Sequence, residues 1–240
     1  MKRKLRAGMT SGLLAMAACV ALHSPPSMAA RDAQGILRET CQGCHTPEAD
    51  KGLSRISHQR KTPEGWLMSI ARMQTMHKLQ ISDEDRRTLV KYLADTQGLA
   101  PSETDGVRYA LERRLNTVEH FDDQFSQMCG RCHSGARVAL QRRPAEEWER
   151  LVNFHLGQWP SLEYQALARD RDWFDIARKD MVPLLAKKYP LENKAWTDWL
   201  KARPHADALV GEWSFSGQLP GKGELSGTMS VSADGSDQFK

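Results

Sequence analysis

The chain has few cysteines and no long apolar run, and both shortages limit what it can be. Five of its 240 residues are cysteine. Its main apolar stretch, residues 13–22, is too short to cross a bilayer as a helix. Neither a glycine-rich phosphate loop nor a nucleophile elbow occurs in it. The sequence therefore predicts no membrane span, and it lacks the usual motifs of nucleotide-binding proteins and serine hydrolases.

The first 29 residues have the three parts of an export signal. Four basic residues open the chain, the apolar stretch follows, and Ser27-Met28-Ala29 forms a small-x-small cleavage site. We predict a signal peptide over residues 1–29 and a mature chain that begins near Ala30. Cys19 lies inside the apolar stretch and would be removed with it. The alternative, that Cys19 is a lipid attachment point, fits the residues before it poorly.

The positive net charge of the whole chain belongs to this leader. The leader carries four of the 34 lysines and arginines and none of the 30 acidic residues, so the mature chain has 30 of each. A mature chain without net charge gives no support for nucleic-acid binding.

Two copies of one motif hold the other four cysteines. Cys41-Gln42-Gly43-Cys44-His45 recurs as Cys129-Gly130-Arg131-Cys132-His133. C-x-x-C-H is the attachment motif of a c-type haem. Cysteines three apart lie on one face of a helical turn, where each thiol can reach one vinyl group, and the histidine that follows binds the iron. Two covalent haem c groups are therefore predicted, with thioether bonds at Cys41, Cys44, Cys129 and Cys132 and iron ligation by His45 and His133.

This use of the cysteines also predicts the compartment. No structural disulfide is expected, because the motifs use all four mature cysteines. Covalent haem attachment takes place outside the bacterial cytoplasm, which agrees with the export signal. We therefore expect a periplasmic protein.

The same residues have two other interpretations. Four cysteines and two histidines could bind zinc, but Cys41 and Cys129 stand 88 positions apart, outside the usual zinc spacings. A redox dithiol of the thioredoxin type normally lies beside a βαβ unit, and the flanking sequence shows none.

The sequence around the motifs predicts a mainly α fold. Residues 31–45 read as one helix, Thr62-Pro63-Glu64 opens a second, and Ser82 caps a third. Beyond them we expect a helix over residues 102–120, a helix opened at Pro144, one interrupted by Pro183, and a last one that contains Trp196.

An internal repeat indicates that the helical part is duplicated. "TPEGWLMSIARM" (62–73) matches "RPAEEWERLVNFH" (143–155), which places Trp66 on Trp148 and Met73 on His155. We predict a first c-type cytochrome module over residues 30–101 and a second over 102–206, which together form a dihaem domain.

The repeat also favours particular sixth ligands for the two irons. For the first haem it favours Met73, while the other candidates are Met76, His77, Met68 and His58. For the second haem it favours His155 over Met181. One His/Met haem and one bis-His haem would leave no open iron position, which predicts electron transfer rather than catalysis at the iron.

From Leu209 onward the pattern changes to that of strands. Apolar residues alternate along two segments joined by a turn at residues 219–223. We predict that residues 207–240 are the truncated start of a β-barrel or sandwich domain, and we expect the chain to be a fragment of a longer protein.

Together these features resemble the α subunit of quinohaemoprotein amine dehydrogenase. The resemblance rests on the two C-x-x-C-H motifs, their 88-residue spacing, the tryptophan repeat and "VGEWSFSGQLPGKGELSGTMSV" (210–231), and it covers residues 31–240. It implies an N-terminal dihaem cytochrome domain followed by β domains. It also implies the same thioether and motif-histidine roles, with one His/Met haem and one bis-His haem.

The resemblance further implies partner subunits. A small γ subunit would carry cysteine tryptophylquinone and oxidise a primary amine to an aldehyde, and a β-propeller subunit would complete the complex. The α-subunit haems would pass single electrons to a soluble cytochrome c or a blue copper protein. Two other functions stay open from the sequence: a dihaem peroxidase, which needs an open or displaceable iron position, and a haem-bearing redox module that only senses redox state.

Overall fold

The structure, a computed structural model, describes residues 31–114, 116–163, 172–235 and 238–240 and is mainly helical there. The predicted signal peptide, Cys19 and Leu115 lie outside these residues. Within the described ranges, no helix is both long enough and apolar enough to cross a membrane.

Helices are the main elements of the described residues between Ala33 and Ala202. In chain order they are α1 (Ala33–Ile36), α2 (Pro63–His77), α3 (Asp83–Gln97), α4 (Asp123–Cys129), α5 (Ala136–Ala139), α6 (Ala145–Gln158), α7 (Trp173–Ile176), α8 (Val182–Lys188) and α9 (Lys194–Ala202). A π turn, Leu37–Cys41, continues α1 to the first motif, and a second π turn, Ala177–Met181, joins α7 to α8.

In the described residues the strands form three separate antiparallel pairs. They are β1 (Pro47–Glu48) with β2 (Gly52–Leu53), β3 (Arg60–Lys61) with β4 (Gln141–Arg142), and β5 (Gly211–Leu219) with β6 (Gly223–Val231). The last pair is the hairpin predicted from the alternating pattern, with Trp213 opposite Met229 and Phe215 opposite Gly227.

Side-chain caps explain where the main helices begin. Thr62 Oγ1 accepts from the Gly65 amide at 3.3 Å, and Ser82 Oγ accepts from the Asp85 amide at 3.0 Å. Each such cap satisfies an amide that has no partner within its helix and contributes about 1 kcal/mol. The helices predicted at Thr62 and Ser82 are therefore confirmed at their first turns.

Two predictions about helices were wrong. Instead of one helix, residues 102–120 contain only 3-10 turns in the part described, and Gly106 and Arg113 interrupt them with φ of 77° and 55°. Pro183 does not interrupt its helix either. α7, the π turn Ala177–Met181 and α8 follow one another without a gap, and Pro183 is the second residue of α8. The π turn Ala177–Met181 precedes this proline, and such a turn shifts the hydrogen-bond pattern so that a helix can continue past a missing N–H.

The apolar core is in two parts that follow the chain order. The first cluster contains Ile36, Cys41, Trp66, Ile70 and residues of α3. The second runs from Val107 to Tyr189. The first cluster contains Cys41 and the second packs against Cys129, so each motif begins at its own set of buried side chains.

A buried ion cluster joins the two halves between these cores. Arg60 and Arg142 lie opposite each other in the β3–β4 pair, and both bind Glu103, at 2.9 and 2.8 Å. Asn193 Nδ2 donates to the same carboxylate at 2.7 Å. Burial alone would raise the pKa of Glu103, but the hydrogen bonds from Arg60, Asn193 and the Ala100 amide lower it to about 2.

Candidate functional site

The first motif follows directly from the π turn that ends at Cys41. Cys41 is buried, and its carbonyl accepts from the amides of Cys44 and His45, which closes a tight turn. The His45 ring is held by its Nδ1–H, which donates to the Ser54 carbonyl at 2.8 Å. In the neutral ring this hydrogen bond places the proton on Nδ1, so that Nε2 has the lone pair that binds a metal.

The second motif begins at the carboxyl end of α4. Asp122 caps this helix, and Cys129 is its last residue. The Nδ1–H of His133 donates to the Ser134 carbonyl at 3.0 Å, so this ring also keeps Nε2 available. The carboxylate of Glu119 accepts from the amides of Gly135 and Ala136 and fixes the backbone that follows the motif.

His133 and His155 face each other across a cavity of about 680 Å³. Their ring centres are 6.2 Å apart, with ring planes inclined at 43°. Two imidazoles that bind one metal ion from opposite sides, with metal–nitrogen bonds of about 2 Å, have ring centres roughly 6 Å apart. The observed separation therefore fits an iron held between the two rings.

His155 has the protonation pattern of a ligand. Its Nδ1–H donates to the Leu151 carbonyl at 2.8 Å, one turn earlier in α6. Burial lowers the pKa of His155 even though this hydrogen bond opposes the shift, and the charges of Arg137 and Arg72 lower it further. The neutral imidazole is the form that binds a metal ion.

The cavity also contains the two cysteines of the second motif. Cys129, Cys132, His133 and His155 all line it, and most of the rest of its wall is apolar. Its volume lies within the range of pockets that hold organic cofactors, about 300–1,000 Å³. The buried Met181 lines the same cavity, so the two candidate sixth ligands of this iron, His155 and Met181, both lie in its wall. The residues present therefore fit a haem that is attached at Cys129 and Cys132.

The cysteine environments do not suit dithiol redox chemistry. Burial raises the pKa of Cys129 to about 12, and the charge of Asp122 adds to this. Burial also raises the pKa of Cys41. Redox dithiols need a lowered pKa, because the thiolate is the attacking group. In the part of the chain that the structure covers, no three His, Cys, Asp or Glu side chains are grouped to hold a metal ion by themselves.

The candidate sixth ligands for an iron at the first motif are less clearly grouped. Met73 is half-buried in α2, whereas Met76 is 45% exposed and His77 is exposed at the end of the same helix. His58 Nε2 contacts Glu48 at 2.5 Å, which occupies the nitrogen that a ligand would use. Met68 lines the cavity of the second motif instead. Among described residues, no second imidazole stacks near His45 as His155 does near His133.

The sequence pattern missed several residues that shape these sites. Ser54 and Leu151 act through backbone carbonyls, which no side-chain motif can reveal. Glu119 lies ten residues before Cys129, and only the fold brings it to the turn after His133. The cavity wall also includes basic side chains from both halves, namely Lys61, Arg72, Arg131, Arg137 and Arg143.

Comparison with known proteins identifies a family. No curated protein matches the chain. Residues 31–196 match the family described as quinohemoprotein amine dehydrogenase A, alpha subunit, haem binding. Residues 206–240 match the family described as quinohemoprotein amine dehydrogenase, alpha subunit domain II. The first match covers more than half of the chain and includes both C-x-x-C-H motifs, so the chain belongs to the haem-binding α-subunit family of quinohaemoprotein amine dehydrogenases.

Proposed function

We propose that this chain is a periplasmic dihaem electron-transfer subunit of an amine dehydrogenase. The observation that carries the proposal is the pair of imidazoles, His133 and His155, that face each other at 6.2 Å across the cavity of the second motif. If His133 and His155 both held it, an iron at this place would have no position open to substrate. A bound haem with such ligation supplies a one-electron carrier.

The proposed ligand set follows the two motifs and the repeat. Cys41, Cys44, Cys129 and Cys132 form the thioether bonds, and His45 and His133 are the proximal ligands. His155 is the distal ligand of the second iron, supported by its ring geometry and its fixed Nδ1–H. Met73 is the distal ligand of the first iron, with Met76 and His77 as the alternatives on the same helix.

A duplicated module is part of the proposal, and the local geometry of β3 and β4 supports it. Each strand leads into a long helix that buries its tryptophan, Trp66 in α2 and Trp148 in α6. A cation lies over each ring, Lys61 at 5.4 Å from the Trp66 centre and Arg143 at 5.7 Å from the Trp148 centre. We place the first module at residues 30–101, the second at 102–206, and the start of a β domain at 207–240.

The proposal assigns the substrate chemistry to a partner chain. A small subunit with cysteine tryptophylquinone would oxidise a primary amine, and a β-propeller subunit would complete the complex. The quinone yields two electrons per amine, whereas cytochromes and blue copper proteins accept one at a time. Two haems with different ligands provide two places for single electrons between this donor and a soluble acceptor.

The proposal is tested on the complex purified from its native cells. Addition of a primary amine should reduce both haems, seen as growth of their reduced absorption bands. His155→Ala should convert one haem to high spin and slow this reduction. His205→Ala is the matched control, because the side chain of His205 is 86% exposed. This variant should change neither the spin state of the haems nor the rate of their reduction.

Three outcomes would contradict the proposal. The chain could purify without a quinone-bearing small subunit, or the amine could leave the haems oxidised. Alternatively, cyanide or peroxide could bind rapidly to one haem of the resting protein, which would indicate an open iron and a peroxidase.

A further inference from the structure

The wall of the cavity at the second motif is mostly apolar, and its Lys, Arg and Glu side chains are all basic except for the exposed Glu64; we call these cations the basic wall. Lys61, Arg72, Arg137 and Arg143 all line the cavity. Lys61 and Arg143 are buried, with 7% and 5% of their surface exposed. Burial of a cation is costly unless an anion accompanies it. The wall therefore needs negative charge to balance it.

Glu147, the carboxylate that binds Arg143, has little capacity for further cations. Glu147 binds Arg55 at 3.0 Å, Arg150 at 3.4 Å and Arg143 at 3.6 Å. One carboxylate thus already serves three guanidinium groups. Among the described residues Lys61 has no ion-pair partner, and its Nζ donates to the hydroxyl of Ser69 at 2.5 Å.

The electrostatic environment of Lys61 reflects this missing anion. Burial lowers the pKa of Lys61 well below its ordinary value, and the charges of Arg143, Arg72 and Arg137 lower it further. The Lys61 ammonium donates to a hydroxyl and lies over the face of Trp66, and the favourable charge of Glu147 is weaker than the opposing charges of the three arginines. A negative group in the cavity would restore the charged form.

A second observation points to the same missing group. Trp148 is 1% exposed and lines the cavity, and its Nε1–H has no acceptor in the part of the chain that is described. Its counterpart Trp66 donates Nε1–H to the Gln97 carbonyl at 3.0 Å. A buried donor without a partner is destabilising. An acceptor in the cavity would remove this destabilisation.

We propose that Lys61, Arg72 and Arg137, with the Nε1–H of Trp148, bind the two propionate carboxylates of the haem attached at Cys129 and Cys132. The inference rests on the proposed function, because it requires a haem at this motif. Lys61 comes from β3 and Arg72 from α2, so both belong to the first half of the chain. The binding site of the second haem is therefore completed by side chains of the first module.

The inference predicts the effect of these cations on the haem. Positive charge near an iron favours its reduced form, because the oxidised form carries one more positive charge. Loss of a cation also leaves a propionate without its partner, which favours the oxidised form further. Removing Lys61 or Arg72 should therefore lower the reduction potential of the second haem.

The test is a spectroelectrochemical titration of the full, haem-loaded chain, with the bis-His and His/Met haems followed by their separate absorption bands. Lys61→Gln should lower the potential of the bis-His haem by enough to change its electron-transfer equilibrium about tenfold, which is about 59 mV for one electron. Lys61→Arg keeps the charge and should restore most of the potential. Lys222→Gln, in the exposed hairpin turn, is the matched control and should have no effect.

A second variant covers the case in which Lys61→Gln does not fold. Arg137 is exposed, so Arg137→Gln should fold and should shift the same potential in the same direction by less. An unchanged bis-His potential in the folded variants would overturn the inference, as would a shift confined to the other haem.

Three outcomes separate this inference from its alternatives. If inorganic phosphate shifts the wild-type potential but not that of Lys61→Gln, the basic wall binds a free anion and the propionate assignment is wrong. If a haem assay finds no haem at Cys129 and Cys132, the proposed function itself fails. Haem at both motifs with unaltered potentials rejects only the propionate assignment.

Discussion

Glu103 offers a prediction about stability that can be worked out from the structure. Its carboxylate is almost fully buried between Arg60 and Arg142, with 3% of the side chain exposed. Glu103→Gln keeps the shape of the side chain but leaves two buried guanidinium groups without their anion. Breaking a buried ion cluster in this way costs about 3–5 kcal/mol. We expect the free energy of unfolding at pH 7 to fall by that amount.

The same residue predicts how stability depends on pH. The pKa of Glu103 is about 2 in the folded protein, against 4.5 for an ordinary glutamate. A lowered folded pKa means that the unfolded chain binds the proton more readily, so the stabilisation is present above about pH 5 and is lost as the pH falls towards 2. A difference of about 2.5 in pKa corresponds to about 3 kcal/mol.

Urea denaturation of the haem-loaded protein, followed by circular dichroism between pH 7 and pH 3, measures both effects. Glu103→Gln should lower stability at pH 7 and should weaken its decline in acid. Asp198→Asn is the control, because the Lys194–Asp198 pair is exposed and such pairs contribute about 0.3–0.5 kcal/mol. A loss of stability in Glu103→Gln no larger than that of this control would contradict the role of the buried cluster, as would a fall in stability with acid that matches that of the wild type.

Three further predictions concern single side chains. Met73→Leu should remove the weak sulfur-to-iron band at the red end of the oxidised spectrum, whereas Met76→Leu should leave it. The reverse result would identify Met76, one helical turn later, as the ligand. Ser82→Ala should lower the free energy of unfolding by about 1 kcal/mol in urea denaturation, because the Asp85 amide loses its cap, and an unchanged midpoint would contradict this. Glu119→Gln should speed hydrogen exchange at the amides after His133, since the charged acceptor is lost, and equal exchange rates would show that the turn holds without it.

Local signals in the sequence were sufficient for several parts of the fold. Thr62 and Ser82 cap their helices through one hydrogen bond each, within three residues of chain. The hairpin of β5 and β6 likewise follows from alternation and a short turn. In these segments the interactions that decide the structure lie close together in the sequence.

The errors arose where local spacing was not decisive. Val107 and Leu111 have helical spacing, but the glycine at position 106 and Arg113 adopt positive φ, and the segment folds as short turns around a buried valine. Pro183 was expected to break its helix, but the chain forms a π turn before it. Hydrophobic periodicity contains no information on such turns.

In the candidate site, too, the sequence revealed the local relations but not those that depend on the packing of distant segments. The repeat pointed to His155 because Trp148 and His155 share one helix face, which is a local relation. The basic wall could not be found from the sequence, since Lys61 and Arg72 reach the second motif only through the packing of the two halves. The Glu103 cluster joins side chains from positions 60, 103, 142 and 193, which no local pattern connects.

Electron paramagnetic resonance of the oxidised, haem-loaded protein tests most directly whether the chain is an electron relay. Two six-coordinate haems should give two low-spin ferric signals in the wild type, and His155→Ala should convert only one of them to high spin. A high-spin ferric signal in the wild-type protein would mean an open iron, and that result would contradict the relay.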